Sequence, residues 1–353
     1  MVSPSLKREF LKNHVELIPM ETGAGCMLDE MTDDHQHPVE IVVGSGPLHK
    51  NDSEKTVVQP LPQESVLGKD PLSLLFKREI DTTDYPILDA HKLDGKPVVP
   101  FALMTEWFGH GALHENPGLV LHGIDDMRIL KGIKLENNKK IIRLFAGKAS
   151  KKGMLYEVPV ELRDGVLEGV DVIHSRAKAI LIDTIPDPPP FTFSKNNRTG
   201  AYQRSIEEVY DKILFHGTQL RGIQEITACS SWGMAAKISS APLPSQWIKE
   251  HLRSSWISDP LALDCAFQMA TLWCYEETGA VSLPSYCKQY RQYSTKFPEA
   301  GISAVLEVND VTPHKMTGDI TLLSDEKKVV AQLIGYEAII DESLYKAFKP
   351  HLA

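Results

Sequence analysis

Two stretches of the chain, residues 102–114 and 261–277, are apolar at almost every position. In the second, Leu261, Ala266, Phe267, Met269, Leu272 and Trp273 leave no wide polar face. Such stretches predict helices buried on all sides, because a surface helix keeps a polar stripe. The runs around them have a different period. Tyr156, Val158 and Val160 alternate with their neighbours, as a half-buried strand does. Residues 119–135, 140–147, 154–162 and 170–182 read as strands after the first helix. A strand-like run at 221–239 leads to the second helix, and strands at 302–308, 315–323 and 328–340 close the chain.

A buried helix accompanied by long antiparallel strands therefore occurs twice. That order predicts an α+β double hot-dog fold, two antiparallel sheets each wrapped round a central helix. The first subdomain spans 71–185 and the second 207–353. Between them, the connector at 186–206 opens on Pro186-Asp187-Pro188-Pro189-Pro190, a stiff extended sequence. Residues 47–70 are polar, without apolar periodicity, and read as a linker. Residues 1–46 form a separate segment, with a helix-like stretch at 20–31 and a short strand ending at Gly44-Ser45-Gly46.

Composition narrows the function classes. Of 353 residues 42 % are hydrophobic and 24 % charged, an ordinary globular balance. A net charge of −9 argues against nucleic acid as a partner. Lys131, Lys134, Lys139 and Lys140 make a local basic cluster, read first as solvated strand ends and second as a docking surface for an acidic partner. Five cysteines without a C-x-x-C pair suit reduced thiols. With no signal-peptide pattern and no run near 18 apolar residues, the expectation is a soluble cytoplasmic protein with no membrane partner.

Two segments carry candidate chemistry. Residues 84–100 hold three prolines and Gly95, which exclude a regular helix and place His91 in a constrained loop before the first buried helix. An imidazole there suits a general base, although a surface-loop histidine has the same sequence signature. Asp264 lies four residues before Gln268, on one face of the second helix. A buried carboxyl there would have a raised pKa and act as an acid, whereas one in a first helical turn simply answers the helix dipole. The residues alone leave both readings open. His110 and His114 have zinc-like spacing but lack the glutamate of an H-E-x-x-H site, so no metal is expected. Gly44-Ser45-Gly46 is too short for a dinucleotide fingerprint, and Cys265 reads as a core thiol.

Taken together, His91, Gly95 and Pro100 match H-x-x-x-G-x-x-x-x-P, while Asp264 and Gln268 match D-x-x-x-Q. With Leu283-Pro284 after the second helix, residues 71–340 resemble the dehydratase domains of polyketide and polyunsaturated fatty acid synthases. Residues 1–46 resemble the end of a synthase ketoreductase, through Glu16-Leu17-Ile18-Pro19 and the strand at 39–43. One motif departs from the family. Where members carry G-Y-G-P-x-F, this chain has Phe215-His216-Gly217-Thr218-Gln219-Leu220, so His216 stands in place of the tyrosine that helps place the substrate hydroxyl.

The resemblance implies a hydro-lyase acting on a β-hydroxyacyl thioester. His91 would remove the α-proton, Asp264 would protonate the leaving hydroxyl, and Gln268 would orient Asp264. N–H groups near Gly95 or Ala102 would polarise the thioester carbonyl. No cofactor is implied beyond the phosphopantetheine arm of an acyl carrier protein that brings the substrate. Other synthase domains, the ketoreductase above all, and a second copy of the chain are the expected partners. A product-template-like cyclase and a catalytically silent scaffold domain are the alternatives within the same fold.

Overall fold

The two apolar stretches are the two long helices, α1 (Phe101–His114) and α2 (Pro260–Thr278). Their limits follow from local chemistry. Pro100 and Pro260 sit at the helix starts, where the missing N–H has no intrahelical partner to lose. The Asp259 carboxylate caps α2 by accepting from Ala262 N–H at 2.8 Å, and Gly279 ends it in the left-handed conformation. The computed structural model describes residues 72–167, 170–192, 202–299 and 301–349. The ketoreductase-like segment at 1–46 and the linker at 47–70 lie outside the described residues.

Among the described residues, fourteen strands surround the helices. The first half contributes β1 (Ser73–Asp81), β2 (Lys92–Leu93), β3 (Lys96–Pro97), β4 (Val120–Ile129), β5 (Lys139–Ala146), β6 (Ser150–Lys152), β7 (Leu155–Leu167) and β8 (Val170–Ile182). The second contributes β9 (Ile223–Ser230), β10 (Gly233–Ile238), β11 (Ser282–Gln292), β12 (Ile302–Thr312), β13 (Lys315–Leu323) and β14 (Val329–Ile340). Twelve of them form one sheet ordered β1-β5-β7-β8-β4-β11-β14-β13-β12-β10-β9, with β6 beside β7. The remaining pair, β2 and β3, is a short hairpin of its own.

The double hot-dog is thus present, with one refinement. The two sheets are continuous, because β4 and β11, the strands that follow the two helices, pair antiparallel at a central seam. Along it Tyr286 lies opposite Arg128, and Arg291 opposite Gly123. The Arg291 guanidinium reinforces the seam with a two-pronged grip on Asp125, at 2.6 and 3.0 Å.

Several elements differ from the sequence expectation. The run at 221–239 is a hairpin, β9 and β10 turning at Ser231-Trp232, rather than one strand. The run at 119–135 ends as a strand at Ile129. β11 carries no clear apolar period, since Pro284, Lys288 and Arg291 interrupt it, yet it is interior to the sheet. Its Arg291 is buried only because Asp125 neutralises it.

What positions the site is the packing of α1 against α2. The rings of Phe101 and Phe267 meet across the two helices with centroids 5.4 Å apart. Burying side chains of this size stabilises the contact by about 1.5–3 kcal/mol each. A polar link acts alongside. The Glu106 carboxylate on α1 accepts from Ile257 N–H and Ser258 N–H, both at 2.9 Å, immediately before α2 begins. The first half's helix thereby holds the start of the second half's helix.

Candidate active site

A tight hairpin presents His91. Asp94 (φ 52°) and Gly95 (φ 71°) form a two-residue turn between β2 and β3, a conformation that favours glycine at its second position. The hairpin returns Val98 against His91, so that Val98 N–H donates to the His91 carbonyl at 2.9 Å. In the other direction, His91 Nδ1 lies 2.7 Å from the Val98 carbonyl oxygen. Only an N–H satisfies that acceptor, so Nδ1 carries the proton and Nε2 keeps its lone pair free.

The Phe215–Gly217 loop runs antiparallel beside this segment. His91 and His216 form a single bridge, and Gly217 N–H donates to the Ala90 carbonyl at 2.7 Å. Phe215 packs edge-on to His91 (4.8 Å between centroids) and stacks on His216 (4.1 Å). The short helix Leu344–Phe348 closes the other side of Phe215 through Phe348, at 4.5 Å.

Asp264 faces this pair from the first turns of α2. Its Oδ2 accepts from Gln268 Nε2 at 2.7 Å and lies 3.4 Å from His216 Nε2. Gln268 is held in turn, its Nε2 also donating to the Leu220 carbonyl and its Oε1 accepting from the Tyr210 hydroxyl, both at 2.8 Å. His91, His216 and Asp264 each bring a nitrogen or oxygen atom within 4.8 Å of the other two.

These groups line one cavity of about 300 Å³. Phe101, Met104, Ile129, Phe267 and Leu283 make most of its wall apolar, while Asp94 and Lys134 reach it from exposed positions. Burial inverts the usual order of acid and base. It pushes the Asp264 carboxyl up to about 7, with the Gln268 hydrogen bond pulling the other way. It brings His91 down to about 4, opposed by the Val98 carbonyl. His216 is held well below the usual histidine value by burial, then by the charges of His91 and Lys349. At neutral pH both imidazoles are therefore uncharged, and His216–Asp264 is a polar contact rather than an ion pair.

Most residues expected at the site converge there. His91, His216, Asp264 and Gln268 line the cavity, as do Leu283 and Pro284. Pro100 starts α1, and its neighbours Val99 and Phe101 line the wall. Gly95 has a different place: it is exposed at the hairpin turn and serves to aim His91. Two imidazoles and a carboxyl could also hold a divalent cation, and this is the group of described residues with that geometry. His110 instead accepts from Arg253 Nε at 3.2 Å and lies against Phe76. Lys140 is paired with Asp164 at 2.5 Å, whereas Lys131, Lys134 and Lys139 are exposed. Cys265 is a buried core thiol whose pKa burial raises. Tyr210 and the Val98 carbonyl are not singled out by the sequence. A tyrosine five residues before Phe215 has no signature of its own until the fold brings it to Gln268.

Comparison with known proteins bears out the fold. Residues 190–339 match the family model of the polyketide synthase dehydratase N-terminal domain, a stretch that holds His216, Asp264 and Gln268. One of the polypeptides of the polyunsaturated fatty acid synthase of Thraustochytrium sp. is 25 % identical over 294 residues, 83 % of this chain. The chain spans about a tenth of that relative, 10 % of its length. Among solved structures, the dehydratase domain from the CurF module of the curacin polyketide synthase superposes with a TM-score of 0.59 at 18 % identity, over 76 % of this chain and 92 % of that one. An inactive aspartate-to-asparagine mutant of the CurK dehydratase gives 0.58 at 16 % identity, over 77 % and 92 %. No helix among the described residues is long and apolar enough to cross a membrane.

Proposed function

Because this chain belongs to the dehydratase domains of polyketide and polyunsaturated fatty acid synthases, we propose that its cavity removes water from a β-hydroxyacyl thioester. His91 Nε2 takes the α-proton, the Cα–H electrons form the double bond, and the β-C–O bond breaks as Asp264 protonates the departing hydroxyl. The products are a trans-2-enoyl thioester and water. The proton then passes from the His91 imidazolium back to the Asp264 carboxylate, and the site is restored. The N–H groups of Phe101 and Ala102, at the start of α1, would polarise the thioester carbonyl.

The observation that carries this reading is the convergence of His91 and Asp264, from opposite halves of the chain, in one apolar cavity with a neutral base and a protonatable acid. Acid–base elimination needs that combination and no bound metal. The CurK dehydratase, inactive once an aspartate is changed to asparagine, is in line with it. His216 takes the place of the hydroxyl-positioning tyrosine and presents a neutral imidazole to the same space.

The exposed Lys134 lines the cavity, and a thioester on the phosphopantetheine arm of an acyl carrier protein is the substrate form proposed. A neighbouring ketoreductase would supply the β-hydroxyl, and a dimeric cytoplasmic synthase is the proposed setting. The test is direct. Incubated with β-hydroxyacyl-carrier protein, the purified chain converts it to a species lighter by one water, and run from the enoyl side it adds one. An unchanged mass in both directions sinks dehydration and leaves the cyclase or scaffold readings.

The pH dependence has a fixed sign. His91 must be unprotonated, which holds above about 4, and Asp264 must be protonated, which holds below about 7. We therefore expect kcat/KM to be level between these values and to fall about tenfold per pH unit on the alkaline side. A rate that keeps rising through pH 8 would contradict Asp264 as the acid.

A further inference from the structure

One residue outside both motifs is bonded into the machinery in a way that fixes where the catalytic proton resides. Tyr210 lies in the short helix Ile206–Lys212 and is almost fully buried, at 2 % exposure. Its hydroxyl accepts from Ile223 N–H at 2.9 Å, at the start of β9, and donates to Gln268 Oε1 at 2.8 Å. The two hydrogens of Gln268 Nε2 then go to the Leu220 carbonyl at 2.8 Å and to Asp264 Oδ2 at 2.7 Å. The direction of this chain cannot be reversed. The Ile223 N–H can only donate, and the Leu220 carbonyl can only accept. The Gln268 amide is therefore pinned with its oxygen towards Tyr210 and its nitrogen towards Asp264.

That polarity has a consequence for Asp264. An oxygen that accepts from Gln268 Nε2–H is the poorer place for the carboxyl's own proton. The proton belongs on Oδ1. We propose that Tyr210 is a positioning residue of this site: through Gln268 it reserves Asp264 Oδ2 as an acceptor and keeps the transferable proton on Oδ1. This rests on the dehydration reading for its function, though not for its geometry. Donation by the tyrosine hydroxyl also polarises the amide, which strengthens the Nε2–H···Oδ2 bond at the far end.

Removing the hydroxyl in Tyr210→Phe leaves Gln268 Oε1 and Ile223 N–H without partners in a dry environment. The amide is then free to turn, and Asp264 loses a well-aimed donor. The expected result is a fall in kcat of about tenfold with KM within about twofold, because the lost effect lies in proton delivery rather than substrate binding. The alkaline limb of the pH profile moves to higher pH, since a carboxylate deprived of a donor is harder to ionise. Combined with Gln268→Ala, the second change adds little, because both act through one hydrogen bond to Asp264.

A merely structural tyrosine gives another pattern: an unmoved limb, and losses that add to those of Gln268→Ala. Either of these in a folded Tyr210→Phe protein overturns the proposal. Should that variant fail to fold, 3-fluorotyrosine at position 210 keeps both hydrogen bonds and makes the hydroxyl a stronger donor. The limb must then move to lower pH, and a limb that stays put or rises counts against the proposal. Titration of the full chain labelled with carbon-13 at the aspartate carboxyls reads Asp264 without turnover. If the wild-type chain proves inactive, the dehydration reading fails. A shifted Asp264 titration in Tyr210→Phe still upholds the positioning, and an unshifted one removes it.

Discussion

His91→Phe and Asp264→Asn each lower kcat by about 10²–10⁴-fold, and the double variant is scarcely slower than either alone. The magnitude is that of one positioned proton transfer. The non-additivity follows because elimination needs both protons moved, and removing one partner leaves the other with nothing to complete. Both replacements suit their surroundings. Phe at 91 meets the Phe215 ring that the imidazole now contacts, and Asn at 264 keeps an oxygen for Gln268 Nε2. Loss of activity through unfolding is thus not expected, and a thermal melt beside the rate measurement separates the two causes. The melt carries a sign of its own. The folded value of Asp264, about 7, lies above its unfolded value of 3.8. Its neutral form therefore favours the folded state fully below about 4, and that contribution is lost as the pH rises through about 7. Relative to wild type, Asp264→Asn should gain stability as the pH rises from about 4 to about 7. Two variants that retained full activity, or lost it in simple proportion, would remove the paired mechanism.

Much of this site is legible in the sequence because its parts are chemically marked. Three prolines and a glycine around one histidine restrict the backbone so tightly that only a loop before a buried helix fits. A carboxyl on an otherwise apolar helix costs too much to be incidental unless something satisfies it, and Gln268 one turn later is the visible candidate. The period of the strands marks the hot-dog halves for the same reason: packing against a central helix demands alternation. What escapes are features decided by tertiary pairing. β11 reads as polar and broken, yet lies between β4 and β14, where Asp125 neutralises its arginine. Ser231-Trp232 carries no glycine, asparagine or proline, so the hairpin between β9 and β10 leaves no turn signal. Tyr210 acquires meaning only when a 3-10 turn at Thr218–Leu220 brings a carbonyl to the other end of the same amide.

The seam between the halves is where the fold is most exposed to a single change, and Gly123→Ala is the variant that shows it. Gly123 lies in β4 opposite Arg291 of β11, and a Cβ placed there would sit 1.9 Å from the Tyr290 carbonyl oxygen and 2.9 Å from Arg291 Nη1. The first of these is backbone, so no side-chain rotation relieves it. β4 and β11 must part, taking with them the Arg291–Asp125 contacts that close the seam. Overpacking of this kind costs about 1–3 kcal/mol or more, and a clash between paired strands belongs at the upper end. In a domain of this size the expected fall in melting temperature is on the order of 5–10 °C. Activity should fall further than stability implies, because His91 and Asp264 come from opposite sides of that seam, and a displacement of about 1 Å between reacting groups can cost on the order of a hundredfold. Gly165→Ala is the control, since a Cβ at that position meets nothing within 4 Å. It should leave stability within about 0.5 kcal/mol of wild type. Equal melting curves for the two variants would mean that the halves are not held together at β4 and β11, and the convergence of base and acid would need another cause.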